Sequence, residues 1–174
     1  MADPRFIHLR LHTEYSLLEG AMRVKNLPVL VAGAGMPAVA VTDTNNMFCA
    51  LEFSETAAKA GVQPILGCQV DVDYAPVRPG EQPNPYAAIV LLVQNEAGWR
   101  NLLKLNSQLY LRNDGTLPHV TLEELGVHGE GLICLTGGPQ GPVGRPLQNG
   151  TRARARALLE QLAAIYPDRL YVEL

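Results

Sequence analysis

The sequence predicts an α/β fold in which parallel strands alternate with covering helices. Three observations predict it: short apolar runs of strand length recur along the chain, helical patterns separate them, and Gly or Pro closes most of those patterns. The 174 residues suit a single domain, residues 1–174, or a piece of a larger one, and bury a core without disulfides or metal. Residues of the AVILMFWYC set make up 47 %, which excludes a disordered chain. Charged residues reach only 18 %, below the usual ~25 %, so part of the surface is expected to be covered. The net charge of −3 argues against a free-standing nucleic-acid binder.

Taken in order, Phe6 to Leu11 alternates as a strand does, with polar His8 and Arg10. A helix is predicted over Val24 to Ala34, closed by Gly35, because Pro37 forbids continuation. Ala38 to Thr42 reads as a buried strand ending at the turn Asp43-Thr44-Asn45-Asn46. The next helix places Met47, Ala50, Leu51, Ser54, Ala57 and Ala58 on one face and stops at Gly61. Ile65 to Asp73 is a third strand. Tyr74 to Tyr86, rich in Pro, is an exposed excursion.

Ala87 to Val93 is a fourth, strongly apolar strand. The helix from Glu96 to Leu111 turns Trp99, Leu102, Leu103, Leu109 and Tyr110 inward. Thr121-Leu122-Glu123-Glu124 opens a short helix with a capping box. Gly131 to Thr136 is a fifth strand, followed by a Gly/Pro-rich loop through Gly150. A helix over Thr151 to Ile165 buries Ala155, Leu158, Leu159 and Leu162, and Arg169 to Leu174 begins a sixth strand. A parallel sheet that stops there would leave an edge open, so the chain is expected to be cut from something longer.

Cys49, Cys68 and Cys134 form no CxxC pair. They read as buried apolar residues in a reducing compartment, and with no signal peptide the expected location is the cytoplasm. In parallel α/β folds, functional groups gather after the carboxyl ends of strands. Those ends offer His12 and Glu19 after the first strand and Asp43 and Thr44 after the second, with Gln69 in the third, Ala88 in the fourth and Gly137-Gly138 after the fifth. A metal phosphoesterase needs several His and carboxylate ligands there to activate water, and this set is thin.

The stretches FIHLRLHTEYSLLEGA, GMPAVAVTDTNNMFCALEF, GVQPILGCQVDV, LLVQNEAGWRNLLKLNSQ, EGLICLTGG and YPDRLYVEL resemble, in order, the amino-terminal polymerase-and-histidinol-phosphatase (PHP) domain of bacterial replicative DNA polymerase III alpha subunits. The resemblance implies a distorted TIM-like barrel, here partial and ending before the last barrel strands, with the polymerase regions downstream. Metal-binding members of that family carry His-x-His where this chain has Arg10 and His12. Glu19 matches an acidic ligand, and Thr42-Asp43-Thr44 stands where Thr-Asp-His is found. Gln69 replaces a Glu, Ala88 a His and Gly138 a Cys. The resemblance therefore implies a degenerate centre at Arg10, His12, Glu19, Asp43, Thr44, Gln69, Ala88 and Gly138, with no catalytic residue and no cofactor.

Arg10 carries a fixed positive charge. It is expected to pair with Glu19 or Asp43 in place of lost ions, because an unpaired buried carboxylate is costly. Plain structural readings stand beside these. They are a hydrogen-bonded barrel histidine for His12, an Asx or N-cap role for Asp43, core packing for Trp99 and Tyr110, an ordinary turn at Gly137 to Gly144, and a solvated face for Arg152, Arg154 and Arg156, the last paired with Glu160.

The expected function is that of a non-catalytic module of a replicative polymerase. The resemblance implies that it serves as scaffold and docking surface for the proofreading exonuclease subunit, within a polymerase core that meets DNA through its downstream domains. The alternative is a metal-dependent phosphoesterase or 3'-5' exonuclease using two or three zinc or manganese ions. A sugar or amino-acid enzyme on a TIM-like barrel rests on fold analogy alone.

Overall fold

The apolar run Ala38-Val39-Ala40-Val41 is buried at every position and forms the first strand, β1 (Ala38–Val41). The structure is a computed structural model that describes residues 6–74, 86–112 and 115–174. The chain divides into two units, Met1–Cys68 and Gln69–Leu174.

In the first unit, α1 (Leu27–Gly33) starts with Pro28 in its first turn, where a missing N–H costs nothing. It is closed by Gly35 at φ 71°, as the sequence predicts. β1 pairs in parallel with the start of β2 (Gln63–Asp73), from Ala38 opposite Gln63 to Val41 opposite Leu66. The helix α2 (Ala50–Lys59) lies between them in sequence. Val24, Leu27, Val31, Val39, Val41, Phe53 and Ala57 build the core of this unit.

Two expectations are corrected here. The segment at residues 6–11 runs beside β1, donating no ladder of its own: Ala40 N–H bonds the His8 carbonyl and Thr42 N–H the Leu11 carbonyl. Leu11 N–H turns instead to the Thr42 hydroxyl, and Phe6 and Leu9 stay exposed, so the segment is extended without being a regular strand. The buried face of α2 also differs. Phe53 and Ala57, in line with Cys49, face inward while Leu51 is 72 % exposed, because Leu51 and Phe53 lie on opposite sides of a helix and the aromatic ring takes the core.

In the second unit, β3 (Tyr86–Val93) is followed by α3 (Glu96–Leu111) at the predicted bounds. Asn95 caps α3 by accepting from Gly98 N–H. Gly98, Leu102, Leu105 and Leu109 form the buried stripe. Leu103 and Tyr110, expected inside, are 42 % and 57 % exposed, and Trp99 is half-buried. Adjacent leucines point 100° apart on a helix, so Leu102 and Leu103 cannot share one stripe. Thr121 and Glu124 close the predicted capping box on α4 (Leu122–His128).

The expected parallel strands alternating with helices are present, with one antiparallel pair among them. β4 (Val120–Thr121) runs parallel to β2, and β6 (Leu170–Tyr171) runs parallel to β5 (Leu132–Leu135). β3, however, pairs antiparallel with β5, Val90 opposite Leu135 and Val93 opposite Leu132. The unpredicted two-residue β4 lies between them in sequence, so no single helix crossover links β3 to β5. The Gly/Pro-rich loop after β5 is not plain coil. It holds a 3-10 turn, Gly138–Gln140, and a short helix, α5 (Gly144–Gln148). α6 (Arg152–Ile165) buries Ala155, Leu158 and Leu162, with Leu159 half-buried, and the last strand is shorter than expected.

The predicted excursion at residues 75–85 lies outside the described residues. Among the described residues no helix is long and apolar enough to cross a membrane. All three cysteines are free and buried, as the sequence predicts.

Two glycines separate close packing from helix propensity. A Cβ on Gly98 would come within 1.9 Å of the Gly131 carbonyl oxygen, whereas one on Gly126 in α4 meets nothing. Gly98→Ala is expected to destabilise by about 1–3 kcal/mol and Gly126→Ala to stabilise by about 0.5–1 kcal/mol. Urea denaturation followed by circular dichroism checks both signs.

Candidate functional site

Asp43 lies two residues past the end of β1 and is 1 % exposed. A carboxylate so placed must be satisfied by donors or it opposes folding. Here three donors come from the loop that follows residues 6–12 and one from Cys49. Oδ1 accepts from the Thr13 backbone N–H and the Ser16 hydroxyl, both at 2.6 Å. Oδ2 accepts from the Thr13 hydroxyl at 2.7 Å and the Cys49 thiol at 3.3 Å. All four donors are neutral. Asp43 does not cap α2, as the plain reading expected; Cys49 occupies that position.

The loop is held at several further points. Thr44 N–H donates to Ser16 Oγ, and the Asn46 side-chain amide donates to the Tyr15 and Thr44 carbonyls. Gly20 has no room for a side chain, since a Cβ would lie 2.0 Å from the Thr13 carbonyl oxygen. Leu18 adopts φ 68°, a left-handed conformation that costs a non-glycine residue about 1–3 kcal/mol and persists only where surrounding structure enforces it.

An open cleft beside this loop is lined by Arg10, His12 and Glu19, with Leu11, Gly20, Ala21 and Met22. Glu19 Oε2 accepts from the Thr44 hydroxyl and lies 3.3 Å from His12 Nδ1. Asp43 takes donors from Thr13, Ser16 and Cys49, and Glu19 lies against Thr44 and His12.

In the first unit the structure therefore gathers Arg10, His12 and Glu19 around the cleft, and joins Thr44 to Glu19 and Asp43 to the loop. In the second unit, Gln69 is a buried residue of β2 and Ala88 is half-buried in β3. A Cβ on Gly137 would lie 1.8 Å from the Ala88 carbonyl oxygen, so Ala88 and the Gly137-Gly138 turn are close neighbours. Glu173, which the sequence reading did not single out, accepts from Gly137 N–H at 2.7 Å, and its own N–H donates to the Thr136 hydroxyl. Thr13 and Ser16 were likewise not singled out, and Cys49 only as a buried apolar residue; the one signal was a hydroxyl residue directly after His12 and another three positions on.

As a divalent-metal centre this donor set fits poorly. Both Asp43 oxygens are engaged, Ala88 and Gly138 offer no side-chain donor, Gln69 offers a neutral amide, and Arg10 is a permanent cation. Among the described residues no group of three His, Cys, Asp or Glu is arranged to hold an ion. Burial, then the Asp43 charge and its hydrogen bond, pushes the Cys49 thiol up to about 12. Burial pushes the Cys68 and Cys134 thiols up as well. None of the three is a poised nucleophile.

A family model for the PHP domain matches residues 8–174. DNA polymerase III subunit alpha of Caulobacter vibrioides is 43 % identical over 171 residues, covering 97 % of this chain and 15 % of that protein. The corresponding subunit of Pseudomonas aeruginosa is 42 % identical over 170 residues, covering 97 % of this chain and 14 % of that protein. The chain thus spans about 15 % of the length of the curated relatives it matches. A solved structure from Bifidobacterium adolescentis, described as a metal-dependent phosphoesterase, matches with a TM-score of 0.53 at 12 % identity, covering 95 % of this chain and 85 % of that one. That likeness is one of fold.

Two outcomes follow from the Asp43 cluster. Asp43→Asn removes an acceptor that buried donors need, and is expected to cost about 1–3 kcal/mol in urea denaturation. The Cys49 thiol moves from an ordinary 9.0 to about 12 on folding, so the folded state keeps a proton that the unfolded state gives up. Its stabilising contribution is complete below pH 9 and lost as pH rises toward 12. Urea midpoints measured across that range are expected to fall, and fall less in Cys49→Ala.

Proposed function

The chain belongs to the PHP domain family, and we propose that it is a non-catalytic member serving as scaffold and docking surface within a replicative DNA polymerase. The observation that carries this reading is the closure of Asp43 by four neutral donors of its own chain. A carboxylate used to bind ions keeps oxygens available for them; this one spends both on holding a loop. The substitutions at Arg10, Thr44, Gln69, Ala88 and Gly138 argue the same way, so the proposed resident metal content is none.

The relatives named DNA polymerase III subunit alpha support the polymerase setting. In this proposal nucleotide transfer and DNA contact belong to other parts of the longer polypeptide. The partner is a separate proofreading exonuclease subunit, which such a polymerase requires if its PHP segment does no hydrolysis. The setting is the cytoplasm. A charged fraction of 18 % suits a surface used for protein contact.

Titration calorimetry with manganese and with zinc, on protein first stripped by chelator, tests the reading. No stoichiometric, cooperative uptake is expected, and no turnover of a phosphodiester. Uptake of two ions per chain accompanied by hydrolysis would establish the phosphoesterase alternative instead. Co-elution of the full chain with the exonuclease subunit tests the docking half.

A further inference from the structure

The Asp43 network has a second consequence on its outer side. The loop it anchors and the segment leading into α2 present large apolar side chains to solvent: Leu17 is 83 % exposed, Leu18 107 %, Phe48 71 % and Leu51 72 %. These are not independent surface residues. The Tyr15 ring meets the Phe48 ring edge-on, with centroids 6.5 Å apart. Asn46 bonds the Tyr15 carbonyl, and Ser16 bonds both Asp43 and Thr44. Each hydrogen bond ties the loop carrying Leu17 and Leu18 to the segment carrying Phe48. Leu18 holds its side chain outward at φ 68°, a strained conformation that yields no packing in this chain.

We infer that Leu17, Leu18, Phe48 and Leu51 form a docking surface for a partner polypeptide segment that carries apolar anchors flanked by lysine or arginine. The surface deepens the docking reading above and rests on it. The basic flanks follow from charge complementarity. Glu14 lies in the loop and Glu52 beside Leu51, and the charge of Glu52, then burial, then the charge of Glu14 raise the Tyr15 hydroxyl above its ordinary range. An apolar patch of this kind with an acidic rim favours a cationic partner and resists an anionic one.

The test uses the full chain and a fluorescein-labelled heptapeptide, Leu-Phe-Leu flanked on each side by two lysines, with a glutamate-flanked version as control. Anisotropy is expected to show binding of the lysine peptide, weakening with salt, and much weaker binding of the glutamate peptide. Leu18→Gly is the decisive variant. Glycine accepts φ 68° without strain, so folding is kept or improved while the anchor is removed, and the affinity is expected to fall about tenfold. Phe48→Ser gives the same loss from the other segment. Equal binding of both peptides, or unchanged binding by Leu18→Gly, overturns the proposal. A concentration-dependent doubling of mass in the wild type that Leu18→Gly abolishes assigns the patch to a second copy and also overturns it. Capture of the proofreading exonuclease subunit is scored separately. Its failure with the wild type defeats the functional reading while the peptide titration still decides the surface, and equal capture by wild type and Leu18→Gly places that subunit elsewhere.

Discussion

The carboxylate of Asp43, buried and bonded by Thr13, Ser16 and Cys49, is the interaction on which the first unit's functional end depends. It joins three stretches of chain: the loop after residues 6–12, the end of β1 and the entry to α2. No cation is needed to balance it, because neutral dipoles aimed at both oxygens stabilise the charge where it is buried. The bonds from Thr13 and Ser16 span 30 and 27 residues, so they fix the loop's position and not merely its local turn. Gly20 then lets the loop close on Thr13, and Thr44 and Asn46 complete the attachment.

This arrangement sets the energetic terms on which an ion could enter. Coordination by Asp43 would require Thr13 N–H, a hydroxyl or the Cys49 thiol to give up its acceptor inside the protein. Each buried donor left unsatisfied costs about 1–3 kcal/mol. Glu19 is the more accessible carboxylate, yet it is engaged with Thr44 and His12. A cation at Glu19 would compete with those contacts.

The fold was legible where a local rule acts alone. The bounds of α3 and the capping box of Thr121 and Glu124 at the start of α4 were legible, because periodicity and caps are short-range. The phase of α2 was not legible, since Leu51 and Phe53 are equally apolar and only the tertiary core chooses between them. The antiparallel pairing of β3 with β5 was hidden by β4, whose two residues carry no periodicity. At the site, the position of Asp43 after a strand was legible, but its hydrogen-bond partners were not. Its partners Thr13 and Ser16 lie 30 and 27 residues away and are common hydroxyl residues that bear no pattern. Glu173, 36 residues from Gly137, was invisible for the same reason.

Holding the loop from beneath also explains how a strained residue survives at its tip. Leu18 gains nothing from its own surroundings, being fully exposed, so its left-handed backbone must be imposed by the bonds at Thr13, Ser16 and Gly20 on either side. Those bonds are all made inside the unit. The loop's shape is therefore a property of the folded chain itself, present before any partner arrives. An interaction surface built this way pays its ordering entropy on folding rather than on association.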